Sequence, residues 1–402
     1  MKYESAEKMD AADPLSGYRK KFHIPKTKTG EDCIYFCGNS LGLQPVTVEA
    51  ALKQELDDWK TLGVEGHFRG KNPWKDYHEF LTMQMAHVVG AKPVEVVAMN
   101  NLTVNLHLMM VSFYRPTSAR HKIIIERGAF PSDQYAVKSQ ILFHGLDPAT
   151  SLIETDDVEA MIDREGDGVA LVLIGGVNYY TGRFFDMQKI ADAGHKKGCI
   201  VGFDLAHAVG NVLLKLHDWN VDFACWCSYK YLNAGPGSVA GCFVHERFAH
   251  DATLPRFSGW WGHDKASRFK MGPDFKAMAG AEGWQVSNPS IFSMAAVKAS
   301  LDIFYEAKME RLRAKSIQLT GYLEFLLGGR FNIITPRAVE ERGCQLSIRM
   351  TQDGRKVYDA LTAAGVVCDW REPDCIRVAP VPLYNTYTDV YRFAQIFAEA
   401  AA

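Results

Sequence analysis

An aspartate and a lysine stand just past two apolar runs of this 402-residue chain. Asp204 follows Cys199–Phe203, and Lys230 follows Asp222–Ser228, 26 residues further on. A lysine so placed can form a Schiff base with pyridoxal 5'-phosphate. A carboxylate can then hold the pyridine nitrogen protonated, so that the ring accepts electrons. A structural salt bridge, or two unrelated surface charges, would leave the same pair in the sequence, and the pair alone leaves these readings open. Other reactive types cluster at the same kind of place. Phe130, Ser132 and Asp133 follow the run Lys122–Glu126, Gly175 and Tyr179 follow Ala170–Ile174, His207 follows Asp204, and Tyr229 precedes Lys230. Phe130 could stack on a planar ring or fill a core, and His207 could touch a cofactor or cap a helix. Asn101, Leu102 and Thr103 open a Leu- and Met-rich helical stretch. Free N–H groups and a hydroxyl there suit a phosphate, though an ordinary helix cap has the same composition.

These residues need a scaffold that brings strand ends together. Lys122–Glu126, Val169–Val177, Cys199–Phe203, Asp222–Ser228 and Val239–Val244 read as buried strands, with a helix over Asp186–Lys197. Unbroken apolar strands separated by helices predict a mostly parallel sheet covered on both faces, an α/β class. In such a sheet ligands sit beyond the carboxyl ends of the strands, where the residues above lie. Adjacent residues of a regular strand point to opposite faces, so Tyr229 and Lys230 can serve one ligand only if their strand has already ended. Toward the C-terminus the pattern becomes α+β. Met294–Leu327 reads as one long helix ended by Gly328 and Gly329, followed by strands at Phe331–Ile334, Cys344–Met350 and Cys375–Val378. Helices are expected near Lys356–Ala364 and over Thr388–Ala400.

Composition narrows the classes. Lys plus Arg number 45 against 47 Asp plus Glu, a net charge of −2, so no basic field calls for nucleic acid or an anionic membrane. No apolar run approaches the roughly 20 residues of a membrane helix, and Met1–Lys20 lacks the apolar core of a signal peptide. A soluble, cytoplasmic protein is expected. Nine cysteines, an odd number with no CxxC pair, suit reduced buried thiols rather than disulfides or a metal site. Phosphate-loop, dinucleotide-fingerprint, GxSxG and HExxH patterns are missing, which weakens nucleotide, hydride, serine-hydrolase and zinc-peptidase readings.

Blocks along nearly the whole chain resemble the kynureninase family of fold type I pyridoxal-phosphate enzymes. They run through Tyr35–Pro45, Asn101–Asn105, Phe130–Asp133, Gly202–Gly210, Cys225–Asn233, Gly259–His263, Ser287–Pro289 and Ile376–Pro380. The resemblance implies a large domain with a mostly parallel seven-stranded sheet and a smaller α+β domain. An N-terminal segment 1–49 would pack with the small domain, residues 50–295 would bind the cofactor, and 296–402 would form the small domain. It implies Lys230 as the Schiff-base lysine, Asp204 on the pyridine nitrogen and Tyr229 as proton donor. Leu102, Thr103, Phe130, Pro131, Ser132, Asp133 and His207 would complete the cofactor shell. Trp260 and Asn288 would reach the phosphate from the other subunit of a homodimer. Arg377 would clamp the substrate carboxylate, with Asn39, Ser40 and His67 around the aromatic end. The reaction implied is hydrolysis of L-kynurenine or 3-hydroxy-L-kynurenine to an anthranilate and L-alanine, without a metal. Where relatives can carry serine, this chain has Gly175, which removes one hydroxyl from the expected cofactor contacts. An aminotransferase or cysteine desulfurase would share Asp204, His207 and Lys230. A desulfurase needs a reactive cysteine on a mobile loop, and none is so placed. A non-catalytic relative would be expected to lose Lys230 or Arg377, and both are here.

Overall fold

The computed structural model describes residues 3–402. A short strand, β1 (Ile34–Tyr35), lies in the N-terminal segment. The next seven strands form one sheet: β2 (Val96–Ala98), β3 (Lys122–Glu126), β4 (Leu152–Thr155), β5 (Val169–Gly175), β6 (Ile200–Asp204), β7 (Phe223–Trp226) and β8 (Gly241–Val244). Their spatial order is β2-β8-β7-β6-β5-β3-β4, parallel from β7 to β4 and antiparallel at β2/β8 and β8/β7. The central strands are buried along nearly their whole length, as apolar runs covered on two faces must be. Two apolar cores lie on opposite faces, one carrying Ile124, Val172 and Val201, the other Ile125, Leu173 and Cys225.

The Val239–Val244 run differs from its expected parallel direction. Between β7 and β8 the chain has no helix to carry it back across the sheet, so it returns antiparallel. That connection instead holds Tyr229 and Lys230, and because β7 stops at Trp226, neither residue obeys strand alternation.

The long C-terminal helix is in fact two, Ile291–Ala307 and Met309–Leu327, broken at Lys308 with φ +67°. The first packs on the helices Val48–Leu62 and Glu79–Val89 of the large unit, the second on Tyr387–Ala400. The break gives each half its own apolar partner. The boundary expected near residue 295 falls inside the first helix, and we propose Lys308 as the division. Beyond it, β9 (Asn332–Ile333), β10 (Leu346–Arg349), β11 (Val366–Val367), β12 (Asp369–Arg371) and β13 (Cys375–Val378) follow. Four make an antiparallel sheet ordered β12-β13-β10-β9, and β11 pairs in parallel with β1. The N-terminal segment therefore adds a strand to the small unit. Ala6, Ile34 and Phe36 enter the small unit's core, while Leu15, Tyr18, Phe22 and Leu43 join the large one.

Candidate active site

At the carboxyl ends of β3, β5, β6 and β7 a cavity of about 640 Å³ opens between the large unit, the N-terminal segment and the small unit. Twelve of the residues singled out in the sequence line it: Asn39, Ser40, Leu102, Thr103, Phe130, Ser132, Asp133, Asp204, His207, Tyr229, Lys230 and Arg377. Gly175 lines it as well.

Each wall has a local reason. The helix Leu102–Phe113 starts at Asn101, whose side chain accepts the Val104 N–H at 3.3 Å, so the first-turn N–H groups face the cavity mouth. Thr103 Oγ1 and Ser132 Oγ lie 2.9 Å apart, the second at the start of the helix Pro131–Phe143. Two helix N-termini thus converge, which favours an anion. Pro131 fills the first position of its helix, where a missing N–H costs nothing, and does not line the cavity.

Deeper in, Asp204 ends β6 and Oδ1 accepts the Ala206 N–H at 2.7 Å. Asp133 faces it from the first turn of its helix. Burial first, and then the charge of Asp204, drives the Asp133 carboxyl well above the usual carboxylate range. Burial raises Asp204 too, partly offset by the Ala206 N–H and by Asp133. The two carboxyls therefore resist ionising together, Asp133 more strongly than Asp204.

Lys230 Nζ lies 3.0 Å from His207 Nε2 and 5.8 Å from the centre of the Phe130 ring. Burial, followed by the Lys230, Arg377 and Arg371 charges, holds His207 well below its usual value. The neutral imidazole can accept from the Lys230 amine through Nε2. Its other nitrogen, Nδ1, is buried without a partner. Tyr229 is pushed upward by burial and by Cys227, so its phenol keeps its proton through neutral pH.

The loop that carries Lys230 is clamped from the N-terminal segment. Gly42 N–H donates to Tyr229 O at 2.8 Å. A side chain on Gly42 would collide with the Lys230 carbonyl and with Asn233, so only glycine allows this approach. The same segment delivers Asn39, whose Nδ2 donates to Gln345 at 3.0 Å while its Oδ1 stays buried and unpartnered.

Arg377 is 1% exposed. It donates to Tyr179 O at 2.6 Å and to Ser40 Oγ at 3.2 Å, and it pairs with Asp369. Its Nε has no partner. Antiparallel pairing of β12 with β13 sets Asp369 directly opposite Arg377, and Asp369 also accepts from Arg371 at 2.9 Å and from Ser40. Burial works against the Asp369 charge, but Arg377, Ser40 and Arg371 prevail and keep its carboxyl below the usual range.

Three predicted residues stand elsewhere in this chain. Trp260 is 47% exposed beside Phe269 and Arg268, Asn288 is exposed, and His67 packs edge-on against Trp74. None lines the cavity within one chain. Conversely, Glu126 and Arg371 line it without having been singled out, and so does Tyr179, which stood out at its strand end but was given no role. Glu126 is the last residue of the Lys122–Glu126 strand, so the rule used for the other strand ends would have found it one position earlier. Tyr179 stands edge-on to Phe130 at 5.2 Å, and Arg371 lies over its ring at 5.9 Å.

Orphaned, buried polar atoms on Asn39, His207, Arg371 and Arg377 all belong to residues of this cavity. Buried polar groups demand partners, so a polar ligand is called for. Its chemistry is set by the donors. A phosphate suits the two helix starts, a protonated pyridine suits Asp204, an aldehyde suits Lys230, and a carboxylate suits Arg377. Pyridoxal phosphate with an amino-acid substrate fits that set.

Comparisons with known proteins agree. A family model described as the kynureninase C-terminal domain matches residues 312–397, and one for the DegT/DnrJ/EryC1/StrS aminotransferase family matches 76–216. The chain is 62% identical to a kynureninase of Koribacter versatilis, over 98% of this chain and 96% of that one. It is 57% identical to one of Myxococcus xanthus, over 97% and 95%. It is 49% identical to one of Nematostella vectensis, over 99% and 93%. Among solved structures, an apo cysteine desulfurase from Thermococcus onnurineus NA1 superposes with a TM-score of 0.78 at 18% identity, covering 96% and 97% of the two chains. A variant of the lyase C-DES with glycine covalently linked to its pyridoxal phosphate cofactor also gives 0.78, at 16% identity and 91% and 96% coverage. At these identities the two structures speak for the fold.

Proposed function

From the premise that this chain belongs to the kynureninase family, we propose that the cavity at the sheet edge performs that family's reaction, with the residues in the roles set out below. The enzyme uses pyridoxal phosphate to hydrolyse the side chain of L-kynurenine: L-kynurenine plus water gives anthranilate plus L-alanine. The observation that carries the residue assignment is the convergence of Lys230, Asp204 and Arg377 on one cavity, from the connection after β7, from β6 and from β13.

Leu102, Thr103 and Ser132 would hold the phosphate, Asp204 the pyridine nitrogen, Phe130 a ring face, and Lys230 the aldehyde. What the cofactor supplies when bound is an aldehyde for amines and a protonated ring that accepts electron density. The chain's own residues do the rest. Arg377 takes the substrate α-carboxylate, and its pre-formed contacts to Asp369, Tyr179 and Ser40 mean that no rotamer freedom is lost on binding. Lys230, whose Nζ lies 3.0 Å from Nε2 of neutral His207, would act as the base at the α-carbon. Tyr229, kept protonated by burial, donates to the departing carbon. Asn39 and Ser40 border the substrate end of the cavity. Trp260, Asn288 and His67 complete the site from a second subunit of a homodimer. Exposed Trp59, Phe68, Trp260 and Phe269 supply apolar surface for such an interface. Sedimentation as a single chain at working concentration would contradict the dimer.

Arg377→Lys tests the clamp. Lysine keeps the charge but not the planar fork, so KM for L-kynurenine should rise about 100-fold with a much smaller change in kcat. An unchanged KM would refute the assignment.

A further inference from the structure

Glu126 is a buried acid on the cavity wall that the reaction as written leaves idle. It ends β3, is 5% exposed, and its Oε2 accepts the backbone N–H of Gly175 at 3.1 Å. The strands β3, β5 and β6 are neighbours, and Gly175 on β5 is paired in register with Asp204 on β6. The glycine thus stands between two strand-end carboxyls. A Cβ at position 175 would lie 2.7 Å from Glu126 Oε1, so the bare glycine is what lets Glu126 occupy this place.

We propose that Glu126 is a positioning residue that acts through Asp204, its carboxyl setting the electrostatic field in which Asp204 holds the cofactor's ring nitrogen. This rests on the reading that Asp204 meets that nitrogen. The groups that face Glu126 are Asp204 from β6, Asp133 from the start of the helix Pro131–Phe143, and the Asn178 amide beyond β5. Lys230, His207, Arg371 and Arg377 line the same cavity. Burial raises the Glu126 carboxyl to about 7, against the pull of the Gly175 N–H and with a further push from Asp204. Its charge therefore changes within the working range. Below that point it is neutral. Above it, an added negative charge favours a protonated ring and disfavours loss of its proton.

Glu126→Gln keeps the shape and can still accept the Gly175 N–H, but it cannot ionise. The absorbance of the bound cofactor should be followed against pH in the parent, in E126Q and in G175A, with K230A as control. The parent should show a step near the Glu126 value of about 7. E126Q should lack that step, and its remaining transition should lie about one pH unit lower, as expected for one charge removed from a partly buried neighbourhood. G175A, which crowds the Glu126 carboxyl aside, should move the same step. Superimposable profiles of parent and E126Q would overturn the proposal. If E126Q fails to hold cofactor, a G175A profile identical to the parent's would overturn it instead. A parent spectrum that K230A leaves unchanged would refute the underlying site reading. A spectrum lost in K230A but unaltered in E126Q would refute only the role of Glu126.

Discussion

Lys230→Ala should lower turnover of L-kynurenine by about 10⁴-fold or more, since in the proposed reaction it removes both the covalent anchor and the base. The fold should survive. Lys230 is half-buried in the connection after β7, and its Nζ meets one nitrogen of His207. The loop itself is held by backbone contacts, from Gly42 N–H to Tyr229 O and from Asn233 N–H to Lys230 O, which an alanine leaves in place. The variant should therefore melt within a few degrees of the parent in the cofactor-free state, consistent with about 0.5 kcal/mol for a change off the packed core. Appreciable turnover in well-folded K230A would remove Lys230 from the chemistry. A large loss of melting temperature would mean instead that the lysine is structural.

Asp204→Asn should cost about 10³-fold in kcat, because an amide cannot hold a proton on the ring nitrogen by charge. Asparagine keeps the size of the side chain and can accept the Ala206 N–H that Asp204 accepts now at 2.7 Å. The effect on stability should have the opposite sign. An acid whose pKa rises on folding binds its proton more tightly in the folded chain. Stability then falls as pH rises from the unfolded value toward the raised folded one, and above it the full penalty remains. Asp204 and Asp133 are both raised, chiefly by burial. Removing one of two facing acids should make cofactor-free D204N melt at or above the parent at neutral pH. It should also move Asp133 down, since the Asp204 charge is the second cause of its shift. Full activity in D204N, or a lower melting temperature with cofactor absent, would contradict this account of the pair.

What could be read in the sequence follows from where each residue sits. Asp204, His207, Lys230 and Phe130 stand just beyond apolar runs, and a parallel sheet gathers such positions at one edge by construction. Arg377 came from the resemblance of Ile376–Pro380 rather than from any pattern, and its setting was illegible. Asp369 lies opposite Arg377 only because β12 and β13 pair in one register, and β12 is three residues long and carries two charges among them. No apolar alternation announces such a strand. The break at Lys308 was hidden for a related reason. Lysine is a good helix former, and the left-handed turn there is imposed by two helices packing on different cores. The role of Gly42 is a contact between segments nearly 190 residues apart, which no local reading contains.

The most direct test of the central claim is product formation by cofactor-loaded protein. L-Kynurenine and its 3-hydroxy analogue should each be supplied, with L-alanine and the aromatic amine measured together and K230A as control. The site described here predicts equimolar alanine and aromatic amine from at least one substrate, and none from K230A. Failure to release either product from both substrates, by protein whose absorbance shows bound cofactor, would contradict the assignment of this cavity to kynurenine cleavage.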